Sequence, residues 1–270
     1  MDILNVAFYQ FAELSRLEGG LIPFRDDLRA RTAALNLRGS ILVSLEGVNC
    51  MVAGSEASVR EFIAELESRP YFKKFEVKES WSSERPFTRM LVKIKKEIIP
   101  MGKAEIKPAE HTGKRLTALE LKKWLDEGKE VVLLDTRNEY EIDLGTFRNA
   151  RRMGLNHFRE FSERLQEFKS EIKDKPVVMF CTGGIRCEKA AALALNEDFS
   201  NVYQLDGGIL KYFEDCGAAH YDGSCFVFDQ RVALQPDLSP APINHPVDTR
   251  RRFMPRGYLK ELLGSGKKSV

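Results

Sequence analysis

Apolar positions in the first hundred residues switch between a period of two and a period near 3.6, and the switches mark the elements. Residues 5–11 carry apolar side chains in a strand-like run. After the turn at Pro23, residues 24–37 are spaced as a helix with Leu28, Ala34 and Leu35 on one side. Residues 40–45 and 47–53 read as two strands joined through Glu46-Gly47. Ser55 is a good cap for a helix over 56–69, whose buried stripe is Val59, Phe62, Ile63 and Leu66. Pro70 ends it. Strands at 75–78 and 90–95 follow, the second alternating apolar and basic. The order β-α-β-β-α-β predicts a ferredoxin-like split βαβ domain over residues 1–100.

Residues 101–115 are polar and interrupted by Gly102, Pro108 and Gly113, so they are assigned to a linker. Thr117 with Glu120 three residues on is a capping-box pattern, opening a helix over 117–127. Apolar strands at 131–134, 177–180 and 202–205 then alternate with helices at 156–172, after residue 185, and at 208–214. That alternation predicts a parallel α/β sheet covered on both faces, over residues 116–220. Residues 221–270 form a C-terminal extension. Its strand-like aromatic segment at 223–232 gives way to five prolines between Pro236 and Pro255, which preclude regular structure.

Composition narrows the function classes. The chain has 270 residues, 43% apolar and 30% charged, with a net charge of +2. It is globular, and affinity for nucleic acid must come from local basic patches. No apolar run approaches the roughly 20 residues that span a bilayer. The start Met1-Asp2-Ile3-Leu4-Asn5 lacks the pattern of a secretory signal. Five cysteines with no pairing pattern fit a reducing compartment, so the expectation is a cytoplasmic protein.

The chemistry concentrates in one loop. The strand Val177-Val178-Met179-Phe180 runs into Cys181, then Thr182-Gly183-Gly184-Ile185-Arg186-Cys187-Glu188 and an Ala-rich helix. The glycines let several amides turn inward around one point, and the helix start and Arg186 add positive character. All of these favour a thiolate at Cys181 over a thiol. Reactive groups in such sheets gather at the carboxyl ends of strands, where Cys181 falls. The Cys-x4-Arg spacing closes a smaller ring than the Cys-x5-Arg loop that cradles phosphate, and it suits a persulfide sulfur better. Cys187 is a candidate resolving thiol for an oxidised or persulfidated Cys181; helix packing explains it equally well. Asp135 and Arg137 at the end of the 131–134 strand read as loop braces.

The Cys181–Arg186 loop, Leu134-Asp135-Thr136-Arg137 and the Gly207-Gly208 helix start resemble a rhodanese domain. Together with Glu46-Gly47-Val48-Asn49 in front and Cys225-Phe226-Val227-Phe228-Asp229 behind, they resemble the rhodanese-related tRNA uridine hydroxylases, over about residues 5–232. The resemblance implies oxygen-dependent formation of 5-hydroxyuridine at the wobble position of tRNA, with Cys181 passing through a persulfide. It also implies the tRNA anticodon loop as partner and molecular oxygen as co-substrate. Family members that carry further cysteines after the Phe-Val-Phe-Asp segment suggest a metal; this chain has only Cys225 there, so no metal site is assigned, His220 and His245 notwithstanding.

Candidate phosphate contacts are Lys93, Lys95, Lys96, Arg151, Arg152, Arg250 and Arg251, and Tyr9, Phe11, Phe226 and Phe228 are candidate stacking residues. A solvated charged face and an aromatic core account for any one of them as well. Two other functions compete: a sulfurtransferase moving sulfane sulfur to a small or protein acceptor, and a catalytically silent binding module. The intact cysteine loop argues against the second.

Overall fold

The computed structural model describes residues 2–242. The first half of the chain supplies β1 (Ile3–Phe11), α1 (Leu21–Ala34), β2 (Arg38–Ser44), β3 (Gly47–Gly54), α2 (Glu56–Glu67), β4 (Lys78–Ser82) and β5 (Met90–Ile94). They form one sheet in the order β4-β1-β3-β2-β5. The first four strands run antiparallel in the split βαβ arrangement, and β5 adds parallel to β2 at the edge. Period-two alternation sorts β1 cleanly. Leu4, Val6 and Phe8 are buried against Leu28 of α1 and Phe62 of α2. Asn5, Ala7, Tyr9 and Phe11 therefore take the opposite face. Lys78 and Ser80 of β4 share that face, being paired with Ala7 and Asn5.

The second half supplies β6 (Lys114–Leu116), α3 (Ala118–Asp126), β7 (Val132–Asp135), α4 (Glu139–Ile142), β8 (Gly145–Phe147), β9 (Arg151–Arg152), α5 (Phe161–Ile172), β10 (Val177–Phe180), α6 (Ile185–Asn196), β11 (Val202–Leu205) and α7 (Gly208–Cys216). The order β6-β11-β10-β7-β9 is parallel throughout. Central β10 is buried on both faces. Val177 and Met179 join the core under α5 and α6, while Val178 and Phe180 join the core under α7. In the extension, β12 (Tyr221–Gly223) pairs with β8, and β13 (Cys225–Phe226) pairs with β14 (Ala233–Leu234).

Several expectations shift. Helix α1 starts at Leu21, because Pro23 fits a first turn whose N–H groups need no helical partner. Its buried stripe is Phe24, Leu28 and Thr32, and Ala34 is exposed. The strand expected at 75–78 lies at Lys78–Ser82. Phe75 instead drops into the core 4.8 Å from Phe8 and 5.4 Å from Phe72. Lys114 and Arg115, read as linker, form β6 by pairing with β11. The 156–172 helix begins at Phe161 after a 3-10 turn at Phe158–Glu160. The extension is less irregular than expected as far as residue 242. Both predicted caps are present: Ser55 accepts from the Ser58 amide, and Thr117 with Glu120 closes a capping box.

Candidate active site

Cys181 sits at the carboxyl end of β10, before the N-terminus of α6. Its sulfur accepts the Gly184 amide at 3.1 Å. Gly184 takes a positive φ of 95°, which turns its N–H back toward the sulfur. Burial alone would push the thiol pKa up. The Cys187 thiol, the Arg186 charge and the Arg186 and Gly184 amides overcome that and bring Cys181 down to about 6. Cys187 moves the opposite way: burial and the neighbouring sulfur raise it well above the ordinary value. Cys187 thus stays a thiol that donates to the Cys181 thiolate. Thr136, whose hydroxyl donates to the Phe180 carbonyl, lies 3.7 Å from the Cys187 sulfur.

Arg186 owes its position to Glu141. Its two outer nitrogens donate to the two Glu141 oxygens at 2.6 Å each, both side chains being buried. The Glu141 carboxylate also accepts the Asn138 amide at the start of α4. Asp135 and Arg137 form a second buried pair at 2.7 Å, extended to Thr146 and the Gly145 carbonyl, so they hold β7 to β8. On the other side, Gly208 closes the loop from above. A β-carbon there would stand 2.5 Å from the Cys181 carbonyl oxygen and 2.7 Å from the Gly184 nitrogen, so only glycine fits.

The second face of the front sheet covers this loop. The Tyr9 hydroxyl donates to Glu188 at 3.2 Å, and a β-carbon on Gly184 would lie 2.9 Å from that same hydroxyl. Glu188, buried in the first turn of α6, also accepts Arg115 at 2.6 Å and Gln204 at 3.2 Å. Next to it, buried Lys189 pairs with Glu46 at 2.8 Å and Glu97 at 2.7 Å. Glu46 and Asn49 also bond the Ile98 amide and carbonyl. The Glu46-Gly47-Val48-Asn49 motif is therefore part of the fastening between the domains.

Two clefts open along the seam, with Lys78 in the wall of both. One, of about 320 Å³, is polar and lined by Tyr9, Arg115 and Glu188 among others. The other, of about 60 Å³, is mainly apolar and runs between β1, β4 and the extension beside Thr182. Phe228, 49% exposed, is on its rim and stacks edge-on against Phe226 at 5.1 Å.

The structure gathers Cys181, Thr182, Gly183, Gly184, Ile185, Arg186 and Cys187 into one loop, with Tyr9 from the other domain beside it. The basic candidates scatter. Lys95 and Lys96 are exposed just before Glu97 of the seam, and Lys93 is half-buried on β5. Arg151 pairs with Glu171 and lies over the Phe168 ring; Arg152 pairs with Glu139 and Asp143. Arg250, Arg251 and His245 lie outside the described residues. His220 bonds Asp126 at 2.7 Å. Among the described residues, no cluster of three or more His, Cys, Asp and Glu is placed to hold a metal, and no helix is long and apolar enough to cross a membrane. Sequence reasoning missed Glu141 as the partner of Arg186 and the contact of Thr136 with the Cys187 sulfur.

Fold and site together define a protein of the rhodanese-like class, with an activated cysteine and a second domain packed over it. Residues 3–98 match the UPF0176 acylphosphatase like domain and residues 117–215 the Rhodanese-like domain. A tRNA uridine(34) hydroxylase from Variovorax paradoxus (strain S110) is 49% identical over 243 residues, 88% of this chain and 91% of that one. One from Thiobacillus denitrificans (strain ATCC 25259 / T1) is 47% identical over 89% of this chain and 97% of its own. One from Paraburkholderia xenovorans (strain LB400) is 43% identical over 99% and 95%. The chain belongs to the tRNA uridine(34) hydroxylase family.

Proposed function

We propose that this chain hydroxylates uridine 34 of tRNA at C5, with molecular oxygen as co-substrate and Cys181 as the nucleophile. The observation that carries the reading is the seat of Cys181: a sulfur poised as thiolate near neutral pH, under a domain that adds a wall to the site. Uracil is electrophilic at C6. Addition of the Cys181 thiolate, or a persulfide on it, forms a carbon–sulfur bond there and moves the ring electrons toward O4 and C5. C5 then becomes the nucleophile toward dioxygen. One oxygen atom is bonded to C5, and a two-electron donor with two protons takes the other to water. Loss of the C5 proton expels the Cys181 sulfur from C6 and restores the uracil ring. The Gly184 and Arg186 amides and the fixed Arg186 charge hold the sulfur anion before attack and receive it again on release. The anticodon loop is the partner this arrangement suits. Exposed Lys95 and Lys96 offer phosphate contacts beside the seam, and Phe228 offers a stacking surface.

The test is the 5-hydroxyuridine content of tRNA from cells that depend on this protein, with Cys181 intact or changed to Ala. Loss in Cys181→Ala is the expected result. Unchanged modification would overturn the role of Cys181. Thiocyanate formation that disappears in Cys181→Ser while tRNA stays unmodified throughout would mark a sulfurtransferase instead.

A further inference from the structure

Three arginines gather on the front domain, at the end of its sheet away from Tyr9. Arg38 opens β2, and Arg85 and Arg89 belong to residues 83–89, which connect β4 to β5. Arg38 and Arg89 each stand one position ahead of the paired Gly39 and Met90, and the Gly39 amide donates to the Arg89 carbonyl at 3.1 Å. The two arginines are therefore side by side. Neutral acceptors hold the other guanidiniums: Arg38 donates to the Thr88 carbonyl at 3.1 Å and Arg85 to the Asn36 side-chain oxygen at 3.2 Å. Such bonds fix a guanidinium without cancelling its charge. Arg60, Arg69, Arg151 and Arg152, by contrast, all face carboxylates. Like charges on adjacent strands repel, a cost that a bound polyanion removes.

An aromatic rim joins this cluster to the active-site loop. Phe87, between Arg85 and Arg89, lines the narrow apolar cleft together with Phe228 and Thr182. The extension is pinned there to the front domain. The Gln230 amide donates to the Pro86 carbonyl at 3.0 Å, and Arg231, paired with Asp229 at 2.6 Å, donates to the Ser80 hydroxyl at 2.7 Å. These bonds directly follow Phe228 and hold its half-exposed ring at the seam. The strand register sets the scale. Ala53 pairs with both Asn5 and Arg38, so Arg38 lies four residues back from Tyr9 and two strands across, about 13 Å and about 10 Å. Tyr9 covers the Cys181 loop, so the arginines are a few nucleotides' length from the sulfur.

We propose that this surface binds the anticodon loop, with Arg38, Arg85 and Arg89 on backbone phosphates and Phe228 stacked on an unpaired base next to residue 34. The proposal deepens the hydroxylase reading and rests on it for the identity of the RNA. Guanidinium forks match phosphate oxygens, and an exposed aromatic ring accepts the face of any unstacked base. An acidic protein surface would engage the arginines but would bring no base to Phe228. Fixed cations beside an exposed ring at the mouth of the site therefore fit single-stranded RNA. The front domain and the extension together become the substrate-positioning half of the enzyme.

The experiment measures binding of an anticodon stem-loop with uridine at position 34, and of a fully paired RNA duplex, across a range of salt. Each phosphate contact on a single strand contributes about 0.7 to the slope of log affinity against log salt. Arg38→Ala, Arg85→Ala and Arg89→Ala should each flatten the stem-loop slope by about that amount, and Arg89→Lys should keep it. Lys175→Gln removes a charge two residues before β10, at the opposite end from Cys181, and should leave the slope unchanged. Phe228→Leu should weaken the stem-loop roughly tenfold at every salt and spare the duplex, and Phe228→Trp should restore binding. Melting curves check folding, and exposed Arg89 carries the test if Arg38→Ala fails to fold. Slopes that respond to the arginines no more than to Lys175, or a Phe228→Leu loss shared by the duplex, would overturn the proposal. Hydroxylation of the stem-loop is scored separately on the wild-type protein. Arginine-dependent binding without product defeats the hydroxylase reading and leaves the RNA surface standing; product with unresponsive slopes does the reverse.

Discussion

Arg186 reaches the Cys181 loop already neutralised by Glu141, through two parallel hydrogen bonds of 2.6 Å in a buried site. The guanidinium thus acts on the sulfur as a fixed charge at a distance, while the amides of Gly184 and Arg186 make the direct contacts. The division has a physical logic. A free buried arginine would be costly to desolvate, whereas a fork-to-fork pair is satisfied and cannot swing away. Catalytic geometry and stability are linked through Glu141.

Glu141→Gln should therefore destabilise the protein far more than a surface change. Breaking a buried pair leaves one uncompensated charge and costs about 3–5 kcal/mol. Chemical denaturation should show the unfolding free energy falling by that amount, as a lower midpoint with an unchanged slope. A loss below about 1 kcal/mol, the range of exposed pairs, would mean that Arg186 finds another partner.

The thiolate makes a pH prediction. Iodoacetamide should modify Cys181 with a midpoint near its pKa of about 6, while Cys225, pushed up to about 12 by burial, stays inert. The stability sign follows from linkage. Between about 6 and the ordinary thiol value of 9.0, the folded state binds fewer protons at Cys181 than the unfolded chain does. This stabilisation is complete above the unfolded value, and it is lost as pH falls through 6. Cys187, raised instead, contributes stability below the ordinary value that is lost only at more alkaline pH. Stability at pH 5, 7 and 9, compared between wild type and Cys181→Ala, reads the Cys181 contribution; a difference that grows toward low pH would refute it.

Cys187 separates into two roles by substitution. As a hydrogen-bond donor to Cys181 it is replaceable by a hydroxyl, so Cys187→Ser should keep the alkylation midpoint near 6 and Cys187→Ala should move it upward. As a resolving thiol it has no substitute, and both variants would lose turnover equally. Alkylation profiles and 5-hydroxyuridine levels measured on the same pair of variants decide between them.

The Cys181 loop was readable in the chain because strand, nucleophile, glycines and helix start are contiguous, and their chemistry is local. The sheet types were readable for a similar reason: period-two and period-3.6 runs are properties of short windows. The groups that complete the site were not. Glu141 is 45 residues from Arg186 in a helix of four residues, too short to show a period. Lys78 comes to line both clefts only through the β1–β4 register, and the strand expected at 75–78 places that register wrongly. Tyr9 is recognisable in the sequence as a candidate stacking residue, but its hydroxyl contact with Glu188 spans 179 positions and depends on domain docking. Local pattern finds a nucleophile; its surroundings are set by tertiary pairing.

Lys189 holds that docking. Its ammonium, 1% exposed, is shared between Glu46 and Glu97 of the front domain. Lys189→Met keeps the stem and removes both charge-assisted bonds, at roughly 2–3 kcal/mol. Limited proteolysis should then cut residues 99–113 faster while each domain's far-ultraviolet signal persists. Unchanged cleavage would show that the Tyr9–Glu188–Arg115 contacts suffice to hold the seam.

Gly208→Ala tests the loop's ceiling. Its φ of 68° lies in the left-handed region, and the added methyl would meet the Cys181 and Thr182 carbonyl oxygens at 2.5 and 2.8 Å and the Gly184 nitrogen at 2.7 Å. All three are backbone atoms, so no side-chain rotation relieves the contact. The carbonyls also accept the Ile209 and Leu210 amides at 2.9 and 3.1 Å, so displacing the loop strains those bonds too. The expected result is a stability loss of about 1–3 kcal/mol from backbone strain. The Cys181 alkylation midpoint should rise as well, because the Gly184 amide is moved off the sulfur. Loss of stability with an unshifted midpoint would mean that the loop moves as a rigid unit, and that Gly208 serves packing rather than the shape of the thiolate's cradle.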